Sequence, residues 1–174
     1  MGRAVVAERG ESARQRRTIR FMSVPSPPRA LSDAEEAVMR AFGRVVLVLP
    51  RALDADLTRA ERMSLSEYTV LRILSETAGH RMRMSELAAA CDMSMSGMTR
   101  LAAKLGSLGF VDRVPCESDA RGFNAVLTPA GLTRLRAAWP AHLASVRRHI
   151  FDQLGDVDLR NLARALEAIA TSAC

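Results

Sequence analysis

Ser94-Met-Ser-Gly-Met-Thr-Arg-Leu-Ala-Ala-Lys-Leu-Gly-Ser-Leu-Gly109, at the heart of the longer stretch Cys91 to Gly131, decides the reading of this chain. Apolar residues at Met95, Met98, Leu101, Ala102, Leu105 and Leu108 recur at the spacing of an amphipathic helix with one buried face. Ser94 offers a cap at its start and Gly109 a stop at its end. The opposite face carries Ser96, Arg100, Ala103, Lys104 and Ser107, with Gly97 and Thr99 on its flanks. A helix lying in a DNA major groove needs small residues for close approach, hydroxyls for polar contacts, and Arg or Lys for guanine edges or phosphates. An ordinary solvated face has a similar composition, so periodicity alone does not separate the two.

The residues that follow do separate them. Phe110-Val-Asp-Arg-Val114 alternates like a short strand, Pro115 to Gly122 is a polar turn, and Phe123-Asn-Ala-Val-Leu127 returns as a second strand. Thr128 then caps a helix that opens on Pro129, a residue favoured at the first helical position. Helix, hairpin and helix in that order predict a mainly α fold, a winged helix-turn-helix with a small β-wing.

These residues resemble the MarR-type (multiple antibiotic resistance regulator) repressors. The resemblance is carried by Ser94-x-Ser96-x-x-Thr99-Arg100-Leu101, by the exit Gly109-Phe110-Val111-x-Arg113, and by the wing pattern Asp119-x-Arg121 followed by Leu127-Thr128-x-x-Gly131. Each piece is short, and the specificity lies in their order and register. More loosely the likeness extends from about Leu31 to the C-terminus.

Carried over residue by residue, it implies that Ser94, Ser96, Thr99, Arg100 and Lys104 face the major groove, with Gly97 and Arg113 beside them. Arg121 would enter the minor groove from the wing tip, and Asp119 would hold the wing in place. A wing-tip Arg suits a narrow, electronegative minor groove, and a turn Asp accepts local hydrogen bonds. The sequence departs from the common pattern at Ala120, where the family often has a second basic residue, which implies one phosphate contact fewer. The resemblance further implies a homodimeric repressor of a pseudopalindromic DNA operator, released by a small aromatic or phenolic effector. Phe42, Tyr68 and Trp139 are the aromatic candidates for lining an effector cleft between dimer helices and head; core packing is the other reading of all three.

At 174 residues and 48% hydrophobic content the chain is long and apolar enough for one core. Its net charge of +6 is unevenly placed. Residues 1–29 hold seven Arg against two Glu, a net +5, which leaves eighteen basic against seventeen acidic, +1, for the rest. The DNA reading therefore rests on the motif and not on overall charge. Residues 1–30 read as a disordered basic tail with a proline-rich spacer, Ser23-Val-Pro-Ser-Pro-Pro28, either a nonspecific DNA arm or a loose extension.

Cys91, Cys116 and Cys174 have neither metal-site spacing nor an even disulfide count, and with no secretory or membrane-spanning run the chain reads as cytoplasmic with no membrane association. Cys91 reads as a packed thiol; Cys116, expected to be exposed in the wing, is the better candidate for a redox-sensing regulator. No phosphate-cradling Gly loop, nucleophile elbow, HExxH or paired Cys-x-x-Cys is present, so no enzyme, metal or cofactor is expected. The remaining rival is a winged-helix protein-interaction module without DNA binding.

Outside the head, taken as about residues 66–128 of a 31–174 domain, two helical regions predict dimerisation: about 31–58 and 129–172. The first opens on a capping box, Ser32 with Glu35, and carries Val38, Phe42, Val45, Leu49, Leu53 and Leu57 at helical spacing, with Pro50 expected to kink or divide it. A second helix is read from Ser66 to Ser75, a third wing strand from Arg81 to Met84, and a helix from Glu86 to Cys91 capped by Ser85. Pro129 to Leu154 reads as one long helix bent at Pro140, and Asp156 as the cap of a final amphipathic helix. His142 and His149, seven residues apart on one helix face, read as packing or surface residues and not as a metal pair.

Overall fold

The computed structural model describes residues 29–116 and 119–172, and of residues 119–121 it describes the backbone alone. The basic tail up to residue 28 and Cys174 therefore lie outside the described residues. Six helices and three strands follow one another: α1 (Asp33–Glu61), α2 (Leu65–Glu76), β1 (Arg81–Arg83), α3 (Met84–Ala90), α4 (Met95–Ser107), β2 (Val111–Cys116), β3 (Asp119–Leu127), α5 (Pro129–His149) and α6 (Leu159–Ser172).

The predicted capping box at the head of α1 is present, with the Ser32 N–H donating to Glu35 at 2.7 Å and the Glu35 N–H returning to the Ser32 hydroxyl at 3.4 Å. Pro50 does not divide α1, which runs unbroken from Asp33 to Glu61; its ring removes one donor, and packing along α5 outweighs that loss. A second capping box, Ser64 with Glu67, starts α2 one residue earlier than the pattern from Ser66 predicted. Three further expectations are corrected. Ser85 is not a cap, because α3 begins at Met84 directly from β1 and has no side-chain cap. Asp158, not Asp156, caps α6, accepting from the N–H groups of Arg160 and Asn161 at 2.9 and 3.2 Å. The long C-terminal helix stops at His149, where Ile150 leaves helical geometry and a 3-10 turn, Phe151–Gln153, follows.

The sheet has the order β1-β3-β2, both pairings antiparallel, so the predicted third wing strand is in place against Asn124–Val126. The ladder of β2 and β3 extends to Pro115, Cys116 and the backbone of residues 119–122, which the sequence pattern assigned to the turn. Pro115 is tolerated there because β2 is an edge strand, and the register shifts beside it. The core joins Tyr68, Val70, Leu71 and Leu74 of α2 to Leu87, Met98, Leu105, Val111, Ala125, Leu127 and Leu135.

Helix α5 packs along α1, tied to it at one end by the ion pair of Arg134 with Glu61 at 2.8 Å and further along by Asp56. Its Oδ2 accepts from the Ser145 hydroxyl at 2.7 Å, from Arg148 at 2.5 Å and from His149 Nε2 at 2.8 Å, while Arg59 holds Oδ1 at 3.1 Å. The Ser145 hydrogen bond, then those of His149 and Arg148 with the Arg148 charge, hold the Asp56 carboxyl well below its usual range against the opposing effect of burial. A depressed carboxyl contributes stability above the unfolded-state value, and that contribution is lost as pH falls through the folded one. Asp56→Ala is therefore expected to lower the urea midpoint at pH 7 more than Asp33→Ala does, with the difference shrinking below pH 4; equal midpoints at pH 7 would remove Asp56 as the pin.

Helix α6 buries none of its residues, and Leu159, Leu166 and Ile169 are exposed. The first half of α1 is equally bare at Val38, Met39, Phe42, Val45 and Val46. Among the described residues no helix is long and apolar enough to cross a membrane.

Candidate nucleic-acid interface

Helix α4 stands on the core through Met98, Ala102 and Leu105, with Leu101 half-buried. Its buried stripe is narrower than the apolar spacing predicted, since Met95 and Leu108, at the two ends, are exposed. Ser94 caps it, accepting from the Gly97 N–H at 3.2 Å. Gly109, with φ +72°, turns the chain into the wing, a conformation that favours glycine.

Ser96, Thr99, Arg100, Ala103 and Ser107 are all solvent-exposed on one side of this helix. Several hydroxyls are already engaged locally. Thr99 donates to the Met95 carbonyl at 2.8 Å, Ser107 to the Lys104 carbonyl at 2.8 Å, and the Ser94 and Ser96 hydroxyls share a 3.2 Å hydrogen bond. What they retain is chiefly acceptor capacity, suited to base amino groups. Arg100 makes no hydrogen bond or ion pair among the described residues and is the charged group on this face open to a ligand.

Lys104 is exposed like Arg100, and its ammonium lies 2.6 Å from Glu67 Oε1, across on α2. Glu67 is a residue the sequence pattern did not single out, although Ser64-x-x-Glu67 was visible as a capping signal. Burial pushes its carboxyl up, but Lys104 and the Ser64 backbone and hydroxyl outweigh that and hold it below the usual range.

In the wing, Arg113 lies over the Phe123 ring at 4.0 Å, a cation–π contact that fixes an exposed guanidinium. A cleft of about 250 Å³ opens between wing and reading helix, bounded by Ser85, Met95, Thr99, Arg113 and Phe123. Asp119 and Arg121 fall at the start of β3, and their side chains lie outside the described residues. At the wing's base, the Thr128 hydroxyl donates to the Gly109 carbonyl at 2.7 Å and accepts from the Gly131 N–H at 3.0 Å. That clamp ties the exit of α4 to the start of α5.

The sequence pattern of the MarR family matches residues 56–122, which run from the end of α1 through α2, β1, α3, α4 and β2 to the start of β3. AbsC, a MarR family transcriptional regulator from Streptomyces coelicolor, is 39% identical over 84% of this chain and 98% of its own, with a TM-score of 0.74. The chain belongs to the MarR family of transcriptional regulators. A second MarR family regulator of Streptomyces coelicolor, Sco3205, solved in complex with DNA, is 33% identical over 83% of this chain and 91% of its own, with a TM-score of 0.75. A mutant of MarR from E. coli, solved with operator DNA, is 20% identical over 81% and 99% of the two chains at a TM-score of 0.65, a likeness of fold. Among curated proteins none matches. The family is one of regulators and not of enzymes.

Of the three aromatic candidates for an effector cleft, Tyr68 and Trp139 both approach His142. Tyr68 is buried in the core with its ring 4.2 Å from that of His142, and Trp139, half exposed, stands 6.3 Å from His142 on the same helix. Phe42 lies apart on exposed α1. A cavity of about 520 Å³ opens between α1 and the end of α5, lined by Arg44, Val48, Ala52, His149, Ile150 and Leu154 among others. His142 and His149, expected to behave alike, differ: burial and then the Arg72 charge push His142 down, whereas His149 is tied to Asp56.

The cysteines are also placed. Cys91 packs against the core, and burial raises its thiol above the usual value despite the Arg72 charge, as a packed thiol should. Cys116, expected to be exposed, is half-buried at the end of the ladder, where it stands opposite Asp119.

Proposed function

We propose that this MarR-family chain is a homodimeric, sequence-specific DNA-binding repressor that reads a pseudopalindromic operator. Helix α4 lies in the major groove with Arg100 as its charged reader, aided by Ser94, Ser96, Gly97 and Thr99. The β2–β3 hairpin grips the adjacent backbone with Arg113, and Arg121 enters the minor groove from the wing tip, held there by Asp119. The single observation carrying this reading is the exposed α4 face, small, without acid, and with Arg100 uncommitted beside an Arg-bearing wing. The bare apolar faces of α1 and α6 support self-association, since contiguous apolar surface of that kind marks an interface.

The cavity between α1 and α5 supports a small apolar or aromatic effector, whose binding would act through differential affinity for dimers with differently spaced heads. Phenolic compounds that raise the melting temperature without changing operator affinity would remove the effector from this account. The DNA reading itself is tested by footprinting wild-type protein and titrating salt. Two protected half-sites about 34–36 Å apart, and affinity falling steeply with salt, are expected. Salt-independent or absent retention on DNA would instead mark a protein-interaction module.

A further inference from the structure

Lys104 and Glu67 form a contact that the groove-reading account does not use. Glu67 is 5% exposed, yet it is an acid, and both its carboxylate oxygens are occupied. Oε2 accepts from the Ser64 N–H at 2.7 Å and from the Ser64 hydroxyl at 3.1 Å, completing the cap of α2; Oε1 takes the Lys104 ammonium at 2.6 Å. Lys104 sits on the shoulder of α4 between the exposed Arg100 side and Leu101. Its stem reaches from α4 to Glu67 on α2, two helices that otherwise meet at few points. Glu67 is the near-buried end of this pair and Lys104 the solvent-facing one, so loss of the lysine leaves a carboxylate whose remaining partners are the Ser64 N–H and hydroxyl.

We propose that the Glu67–Lys104 pair is a strut that sets the angle of the reading helix against α2, making Lys104 a positioning residue and Glu67 a specificity determinant that touches no DNA. The proposal rests on the DNA-reading function given above. Apolar packing through Met98, Ala102 and Leu105 holds α4 on the core but tolerates small rotations about its axis. An ion pair anchored at a buried, doubly satisfied carboxylate does not, because rotation of α4 withdraws the ammonium. Helix α2 also packs on α1 and α5, so the strut is a direct polar link between the reading helix and the element seated on the long helices. Base readout by Arg100 depends on that angle, whereas attraction to phosphates does not.

Glu67→Gln is the test, because glutamine still completes the capping box while losing the charge that holds Lys104. Lys104→Met keeps the stem and the helix preference, and Lys104→Arg keeps the charge. Affinities for the footprinted operator and for a scrambled duplex of equal length are measured from 50 to 200 mM salt, with circular dichroism to verify folding. Glu67→Gln and Lys104→Met are each expected to lower operator affinity roughly tenfold and to leave scrambled-duplex affinity little changed. The double variant should be no weaker than either single one, and Lys104→Arg should recover most of the loss. If Lys104→Met weakens both duplexes equally and lowers the salt slope by about one phosphate while Glu67→Gln binds as wild type, Lys104 grips DNA and the strut is refuted. Wild-type affinity in both variants refutes it too. A wild-type protein with no operator preference would overturn the DNA reading itself, and the strut with it.

Discussion

Gly131→Ala is expected to destabilise the fold by about 3 kcal/mol, the upper end of ordinary overpacking. Gly131 lies in the first turn of α5, and a methyl there would overlap the Phe110 carbonyl oxygen and stand 2.8 Å from Leu127 Cδ1. The obstacle is backbone, so no rotamer change relieves it. Phe110 cannot retreat, because its carbonyl accepts the Thr128 N–H at 3.1 Å and its own N–H donates to the Leu105 carbonyl at 2.9 Å. Helix α5 must therefore lift, and the Thr128 clamp opens. Gly106→Ala is the control, since its methyl would meet the Val111 carbonyl oxygen at an ordinary 3.4 Å. Urea unfolding at unchanged m measures both, and equal midpoints would show that the start of α5 is not packed as described. The same distances give a physical reason for glycine in the Leu127-Thr128-x-x-Gly131 pattern.

Leu166→Asp combined with Ile169→Asp is expected to dissociate the proposed dimer and reduce operator affinity by about 10²–10⁴, the loss that follows when two linked binding events become independent. Both side chains are exposed, at 44% and 52%, on a helix that buries none of its residues within the chain. The monomer should therefore keep its fold while a partner meets two carboxylates on an apolar stripe. Sedimentation and operator binding read the two consequences separately. A double variant that remains dimeric would move the interface off α6, and a monomer that binds the operator at wild-type strength would show that bivalent reading is unnecessary.

What was legible in the sequence was local. The start of α4, the wing strands, the Ser32 and Thr128 caps and the return into α5 all follow from residues within a few positions of each other. The errors have physical causes of two kinds. Two concern caps: Ser85 lost its place because α3 starts directly from β1, and Asp156 because α6 starts later, capped by Asp158, and both outcomes depend on the path of the preceding chain. The others were contacts between distant positions. Nothing in the periodicity of α4 distinguishes Lys104 from Arg100, and only the placement of Glu67, 37 positions earlier, gives one an ion-pair partner and leaves the other open. Tyr68 and Trp139 are likewise equal as letters, yet one is a core residue at 1% exposure and the other is 50% exposed.

The central claim is that α4 reads bases through Arg100. Its most direct test is the affinity of Arg100→Ala for the footprinted operator and for a scrambled duplex at several salt concentrations. Arg100 lies off the buried stripe and makes no contact whose loss would unfold the chain, so the variant should remain a folded dimer. Operator affinity should fall by about 1–3 kcal/mol, with little change on the scrambled duplex, so that sequence preference relaxes. A variant that binds the operator as tightly, and as selectively, as wild type would contradict the account, because the exposed face of α4 would then not be the surface that reads DNA.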